Sequence, residues 1–283
     1  IRLALNDDEI DWFHHVKGML DYLGIECYLI GPKEIQDLHP LLVVNDVKVG
    51  FYTPTDGHTD PASATHAMAI GARSGGAEIY RQTRVTKTRL LANGEWEVTT
   101  DKGVITCEHL VNAAGSFAKQ IGEWVGLDLP IVNMKHHYLV TENLPEVEAL
   151  DREPPVIRDP KASCYYRQEQ QGILIGPYEQ TKAEAWGLGG IDWNFDMELL
   201  SPEINRLEDS LSLAAQRIPC WAEAGIKRIV HGPITHTPDG GFLMGPAAGL
   251  PNYWLCCGAS IGITQGPGCG KYLAQWMVHG QTE

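Results

Sequence analysis

The chain has 283 residues, 43% of them hydrophobic, enough to fill the core of one large domain or of two ordinary ones. Its formal net charge is -14, and it has neither a Lys/Arg run able to track a phosphate backbone nor an apolar run of membrane-spanning length, which argues against nucleic-acid and membrane partners. Seven cysteines, an odd count without a C-x-x-C pair, argue against a disulfide framework or structural zinc site and favour a reducing compartment, a bacterial cytoplasm or a mitochondrial matrix.

Asn6-Asp7-Asp8-Glu9 reads as a helix start with carboxylates in its first turn, followed by Ile10, Phe13, Val16 and Leu20 on one face up to Gly24. A short helix is predicted from Lys33 to Leu38, stopped by Pro40, and an alternating strand from Val47 to Tyr52. Asp60 can cap and Pro61 can open a helix through Ala64, Ala67, Met68 and Ala72, whose small residues predict close packing against a sheet. Strand-like segments follow at 77–81, 85–91, 96–100 and 104–108, with Asn93-Gly94 and Lys102-Gly103 as turns.

Leu110 to Ser116 reads as a strand ending in a small-residue turn, with a helix after it from about Phe117 to Val125. Longer alternating strands are predicted at 135–142, 156–159, 164–169 and 173–178, forming a second sheet. Ser201-Pro202-Glu203 should cap a helix carrying Ile204, Leu207, Leu211, Ala214 and Ile218 on one face, and 226–231 should be a strand. The pattern is a mixed α/β (α+β) fold whose boundaries fall near 56, 130 and 232.

The densest glycine stretch runs from Gly258 to Lys271, between the apolar run Tyr253 to Cys257 and the helical pattern Tyr272 to Val278. A strand, a glycine loop and a helix start let backbone approach a flat, electron-rich or anionic ligand. The same loop also suits a turn that merely packs a helix on a sheet.

Three stretches in this order, Asp56-Gly57-His58-Thr59-Asp60-Pro61, Val111-Asn112-Ala113-Ala114-Gly115 and the 258–271 loop, resemble FAD-dependent amine oxidoreductases of the D-amino-acid oxidase type. Within them, Lys135-His136-His137-Tyr138-Leu139-Val140-Thr141, Tyr165-Tyr166-Arg167-Gln168-Glu169, Gly176-Pro177-Tyr178-Glu179 and Gly232-Pro233-Ile234-Thr235 are most similar to the dimethylglycine and sarcosine dehydrogenase family. The resemblance implies a D-amino-acid-oxidase-like fold with substrate-domain parts at 1–56 and 131–232, the latter the main, largely antiparallel sheet, which roofs the flavin. The FAD-binding parts are implied at 57–130 and 233–283. Because such proteins open with a G-x-G-x-x-G turn and this sequence has none, the resemblance implies an incomplete flavin domain, a central piece of a longer enzyme.

The implied activity is FAD-dependent oxidative N-demethylation of dimethylglycine or sarcosine. His136 and Tyr165 would form the active-site pair, since a histidine with a phenol partner can relieve an ammonium of its proton. Alternation allows only one of His136 and His137 on that face, and His136 is expected there with Tyr138. The backbone of Val85 would meet the adenine, Ala113, Ala114 and Gly115 would pass the FAD diphosphate, and Gly258, Ser260, Gly262, Ile263 and Thr264 would cradle the isoalloxazine. Arg158 and Arg167 are candidates for a substrate carboxylate, although Arg167 could instead form a solvated ion pair. The implied partners are a small N-methylated amino acid and an electron-transfer protein, with tetrahydrofolate only where a further domain exists. Spacing alone leaves His136 and Tyr165 open as ordinary strand residues, Val85 as a core residue, and the chain as an inert or partner-binding piece or an oxidase of another small amino acid.

Overall fold

The computed structural model describes residues 1–179 and 182–282. Strand β1 (Arg2–Ala4) leads to helix α1 (Asp7–Tyr22), β2 (Tyr28–Ile30), α2 (Pro32–Leu38), β3 (Val49–Tyr52) and α3 (Pro61–Ser74). Strands β4 (Val85–Leu90), β5 (Trp96–Thr100), β6 (Gly103–Cys107) and β7 (Leu110–Asn112) precede α4 (Ala118–Glu123), β8 (Val132–Thr141) and α5 (Pro145–Glu148). The rest is β9 (Ile157–Asp159), β10 (Cys164–Glu169), β11 (Gly172–Pro177), β12 (Ala185–Trp186), α6 (Glu208–Arg217), β13 (Ile226–His236), β14 (Leu243–Pro246), β15 (Tyr253–Cys257) and α7 (Gly262–His279). These elements form two compact units: Ile1–His58, His136–Ala183 and Glu198–Gly232 in one, Thr59–Lys135, Glu184–Met197 and Pro233–Glu283 in the other.

The first unit is built on the strand order β8-β11-β10-β9-β1-β3-β2, antiparallel throughout except for the parallel pair β1 and β9. Alternation sends Leu139, Ile157, Tyr166 and Ile175 to one face, where they are fully buried with Ala214 and Ile218 from the α6 end. Helix α1 covers β1 and β3 through Phe13, whose ring centroid lies 5.4 Å from that of Phe51. Its start is fixed by Asn6, whose side chain accepts the Glu9 amide at 2.9 Å.

Arg217, at the end of α6, is buried and ties α6 to three distant positions of this unit. Its guanidinium donates to Asp159 at 2.9 Å, to Asp46 at 2.7 Å and to the Val43 carbonyl at 2.5 Å. Burial opposes charge on both partners, yet the hydrogen bonds from Arg217 and Lys161 hold the Asp46 carboxyl down at about 2. The Arg217–Asp159 pair, buried on both sides, is costly to break, about 3–5 kcal/mol, because the remaining charge is left buried.

The second unit contains the antiparallel sheet β4-β5-β6 and the sheet β14-β15-β7, in which β15 runs parallel to β7. Trp96 is completely buried between them, edge-on to Tyr253 at 5.1 Å, with its indole N-H donating to the Pro251 carbonyl. A second cluster joins Ala118, Leu129, Ile131 and Cys257.

Several elements differ from the sequence expectations. Residues 77–81 form no strand, since the chain turns there and Gln82 takes a positive φ of 51°. The helix expected from Ser201 begins only at Glu208, after a single 3-10 turn at Ile204–Arg206. Its capping groups are used elsewhere: the Ser201 carbonyl accepts from His231 and the Glu203 amide donates to His137. Helix α7 starts at Gly262, so Gly266, Pro267, Gly268 and Gly270 are helical rather than loop. Buried Leu273 and Trp276, packed 6.0 Å from Trp254, anchor its second half and outweigh the poor propensity of the first. No residue of α3 is buried, so the close packing predicted from its alanines is not found among the described residues. The short strands β1, β2, β12 and β14 carry no alternation long enough to be read from sequence.

His39 is 3% exposed in the core of the first unit, and burial pushes its pKa down from 6.5 to about 4. Between those values the unfolded chain takes up a proton that the native state refuses, so stability falls as pH drops from about 6.5 towards 4. The urea midpoint of the wild-type chain should therefore fall between pH 7 and about pH 4.5, and His39→Leu should flatten that slope. An unchanged slope in the variant would place the acid sensitivity elsewhere.

Candidate active site

One face of the first unit's sheet gathers the aromatic and basic residues. Tyr165 on β10 stands opposite Arg158 on β9 and Gly176 on β11. Gly176 has no side chain to offer, and the ring of Tyr165 occupies the space a Cβ would take there. Tyr178, just past β11, lies between the other rings: its centroid is 5.5 Å from that of Tyr165 and 6.0 Å from that of His136. Arg158 donates a hydrogen bond to the Tyr178 hydroxyl, with its guanidinium carbon 5.7 Å from the ring centroid.

Burial, with the Tyr178 and Tyr138 phenols nearby, pushes the Tyr165 hydroxyl up to about 12. Tyr165 is therefore a neutral phenol at physiological pH, able to donate and accept hydrogen bonds but not to act as a phenolate. Arg167 is drawn away from this group into an ion pair with Glu169 at 2.5 Å. Its geometry is that of the solvated pair, because the hairpin between β10 and β11 places Glu169 two residues along the same face.

His137 faces the opposite side and is fully buried. Its Nε2 accepts the Glu203 amide at 3.1 Å, which assigns the proton to Nδ1 for donation to Glu179 at 2.6 Å. Glu179 meets Arg206 at 2.6 Å, and Arg206 meets the Glu203 carboxylate at 2.6 Å, closing a four-residue circuit. The His231 ring stacks on His137 at 3.6 Å. The circuit anchors the residues adjacent in sequence to His136 and Tyr178, and so fixes both of those backbones.

The second unit presents two turns at one sheet end. Strands β7 and β15 are parallel, so the turns that follow them, at 113–116 and 258–261, both emerge at the carboxyl edge, where open α/β sheets bind ligands. Asn112 braces the first turn, donating to the Ala118 carbonyl at 2.9 Å and accepting from the Ala114 amide at 3.3 Å. Ala113 and Gly115 are exposed there, Ala114 is half-buried, and Gly115 takes a φ of 56° with open space where a Cβ would point.

Gly258 takes a φ of 75°, and a Cβ there would come within 2.7 Å of the Thr237 side chain. After Ser260, α7 opens at Gly262 behind an Ile261 cap that supplies no side-chain hydrogen bond. The amides of Gly262, Ile263 and Thr264 thus stand at the positive end of an 18-residue helix without a capping side chain. Bare backbone in both turns, beside an uncapped helix start, fits the diphosphate and ring of a dinucleotide. Val85 opens β4 on the separate antiparallel sheet, half-buried beside a bulge between Val85 and Lys87.

Residues 1–276 match the family model described as DAO, FAD dependent oxidoreductase. The chain belongs to this family. As an FAD dependent oxidoreductase domain it is 40% identical to mouse mitochondrial dimethylglycine dehydrogenase over 99% of its own length and 33% of that protein. It is 32% identical to mouse mitochondrial sarcosine dehydrogenase over 99% of the chain and 30% of that relative. The domain thus spans about a third of the length of these curated relatives. Among solved structures, L-proline dehydrogenase from P. horikoshii superposes with a TM-score of 0.84 at 26% identity, covering 100% of this chain and 72% of that one. The fold is the mixed α/β architecture of D-amino-acid-oxidase-like flavoproteins, with a largely antiparallel sheet.

Sequence reasoning singled out Tyr165 but missed Tyr178. The signal was present in Gly176-Pro177-Tyr178, where a bulky ring two residues past a strand glycine shares its face. The seat of Tyr165 over Gly176 is testable. Gly176→Ala should cost about 1–3 kcal/mol by overpacking, and much less in a Tyr165→Ala background. Additive urea-denaturation energies for the two substitutions would rule out the ring's seat over the glycine.

Proposed function

We propose that the first unit is a substrate domain and the second a flavin-binding domain of an enzyme that oxidatively demethylates dimethylglycine or sarcosine with FAD. The observation that carries this reading is the cluster of His136, Tyr165 and Tyr178 rings on one sheet face, in a chain 40% identical to a dimethylglycine dehydrogenase. Bound FAD supplies the acceptor for the two electrons and the hydrogen of the substrate methyl C-H bond.

The chain's own residues prepare the substrate. An ammonium nitrogen has no lone pair with which to expel hydride, so its proton must leave first, and the His136 imidazole is the group that would receive it. Tyr165, held neutral by burial, orients the amine by hydrogen bonding without competing for that proton. The oxidised carbon is then an iminium, to which water adds to release formaldehyde and the demethylated amine. Where a folate-binding domain accompanies the chain, tetrahydrofolate takes up the one-carbon unit instead, and an electron-transfer protein completes the cycle.

Ala113, Ala114 and Gly115 would hold the FAD diphosphate, and Val85 would meet the adenine through its backbone. Gly258, Ser260, Gly262, Ile263 and Thr264 would hold the isoalloxazine, the α7 start offsetting negative charge on the reduced ring.

In the enzyme carrying the G-x-G-x-x-G turn, the visible bands of bound FAD should bleach anaerobically on addition of dimethylglycine or sarcosine, and desalting the 283-residue chain after mixing with FAD tests whether that turn is needed to retain the flavin. His136→Gln should slow that bleaching by roughly 10²–10⁴-fold with flavin content unchanged, and Tyr165→Phe should slow it in the same direction. Unchanged bleaching rates in both variants would overturn the reading, whereas a colourless eluate would assign flavin retention to the longer enzyme.

A further inference from the structure

A cleft of about 490 Å³ opens beside Tyr178 on the substrate-domain face, and the ring cluster described above does not use it. Arg2 and Arg158 line it from the sheet, and Asp8, Glu9, Trp12 and Phe13 line it together from α1. Its volume lies within the range of small-molecule sites and far exceeds what the void beside a single ring requires.

The sheet floor is electrostatically unusual. Arg2 and Arg158 are register partners on the parallel strands β1 and β9, so their side chains leave the sheet side by side. Both are exposed, and among the described residues no carboxylate lies within ion-pair distance of either guanidinium. Asp159, next in sequence to Arg158, points to the opposite face and is bound by Arg217. Two like charges in direct register repel unless an anion sits between them, and two guanidiniums offer a carboxylate several donors in a plane.

The α1 residues select what accompanies that anion. Glu9 accepts the Leu5 amide at 2.6 Å and Asp8 stands beside it on the same α1 face as Trp12, so a dianion meets repulsion there. Trp12 is 55% exposed and presents a ring face of the kind that attracts an alkylammonium group. The Arg158 hydrogen bond to Tyr178 links the floor to the ring cluster.

We infer that the Arg2–Arg158 cleft is a docking subsite for a zwitterionic N-methyl amino acid. Its carboxylate lies on the two guanidiniums and its ammonium faces Trp12 and the α1 carboxylates, before the nitrogen is deprotonated at the ring cluster. The inference rests on the demethylation reading for the identity of the zwitterion, but its test needs neither flavin nor turnover.

The 283-residue chain is titrated with N,N-dimethylglycine, acetate, dimethylammonium and succinate. Binding is followed by tryptophan fluorescence, and the Trp12→Phe variant identifies the responding ring. Dimethylglycine should saturate the signal, with acetate, succinate and dimethylammonium each binding more weakly. Arg2→Gln and Arg158→Gln should each raise the dissociation constant at least about tenfold without shifting the melting temperature, since both side chains are exposed. Unchanged affinity in both variants, no saturation by dimethylglycine, or acetate binding as tightly as dimethylglycine would overturn the inference. A protein that binds dimethylglycine through these arginines and holds FAD yet does not bleach it keeps the docking site while removing the demethylation reading.

Discussion

In the first unit, everything depends on the two-residue alternation of the strands β8, β9 and β10 and of the segment that leaves β11. Four consecutive pairs straddle the sheet: His136 and His137, Arg158 and Asp159, Tyr165 and Tyr166, Tyr178 and Glu179. The first member of each pair lies on the face with the ring cluster and the cleft. The second is buried on the other face and takes part in a hydrogen bond or ion pair, Tyr166 to Asp159, Asp159 to Arg217, His137 to Glu179. Each group with reactive potential is thus held through its sequence neighbour. A buried polar group that loses its partner costs more than a typical surface contact is worth, so these anchors hold the backbone firmly.

The second unit solves a different problem with a parallel pair of strands. Because β7 and β15 point the same way, two turns distant in sequence converge at one edge. Gly115 leaves open space in the first, while Gly258 lets the second pack its backbone against Thr237. Asn112 stiffens the first turn from beneath, while Thr237 closes the space behind the second. A site of this kind recognises its ligand largely through backbone, which accounts for the ordinary character of many of its side chains.

The polarity of the two units differs accordingly. The ring-bearing face of the first unit offers arginines, phenols and an imidazole, groups that discriminate charge and hydrogen-bonding pattern. The turns of the second unit offer amides and a helix dipole, which favour negative charge of whatever origin. The reading of the first as a domain for an amino acid and the second as a domain for a dinucleotide rests on that contrast in chemistry.

Much of this was legible in the sequence wherever the information is local. The caps at Asn6 and Asp60, the hairpin turns at Asn93-Gly94 and Lys102-Gly103, and the strands expected at 164–169 and 135–142 follow from side-chain chemistry and period, the second of them running from Val132 to Thr141 in the fold, and both observed caps use those very residues. The opposition of His136 and His137 followed from alternation alone. What sequence could not supply was which distant groups compete for the same atoms. Glu203 was expected to open a helix, but its amide is taken by His137, 66 residues away, so the helix starts later. The glycines of α7 look like loop because propensity is a local quantity, and the packing of Leu273 and of Trp276 against Trp254 holds the helix they open. Tyr178 and Arg2 gained their places through strand register, which sets β1 beside β9 across more than 150 residues of chain. The sequence by itself determined faces, caps and turns; the tertiary structure decided partners, because partner choice is a contest between residues that meet only when the chain has folded.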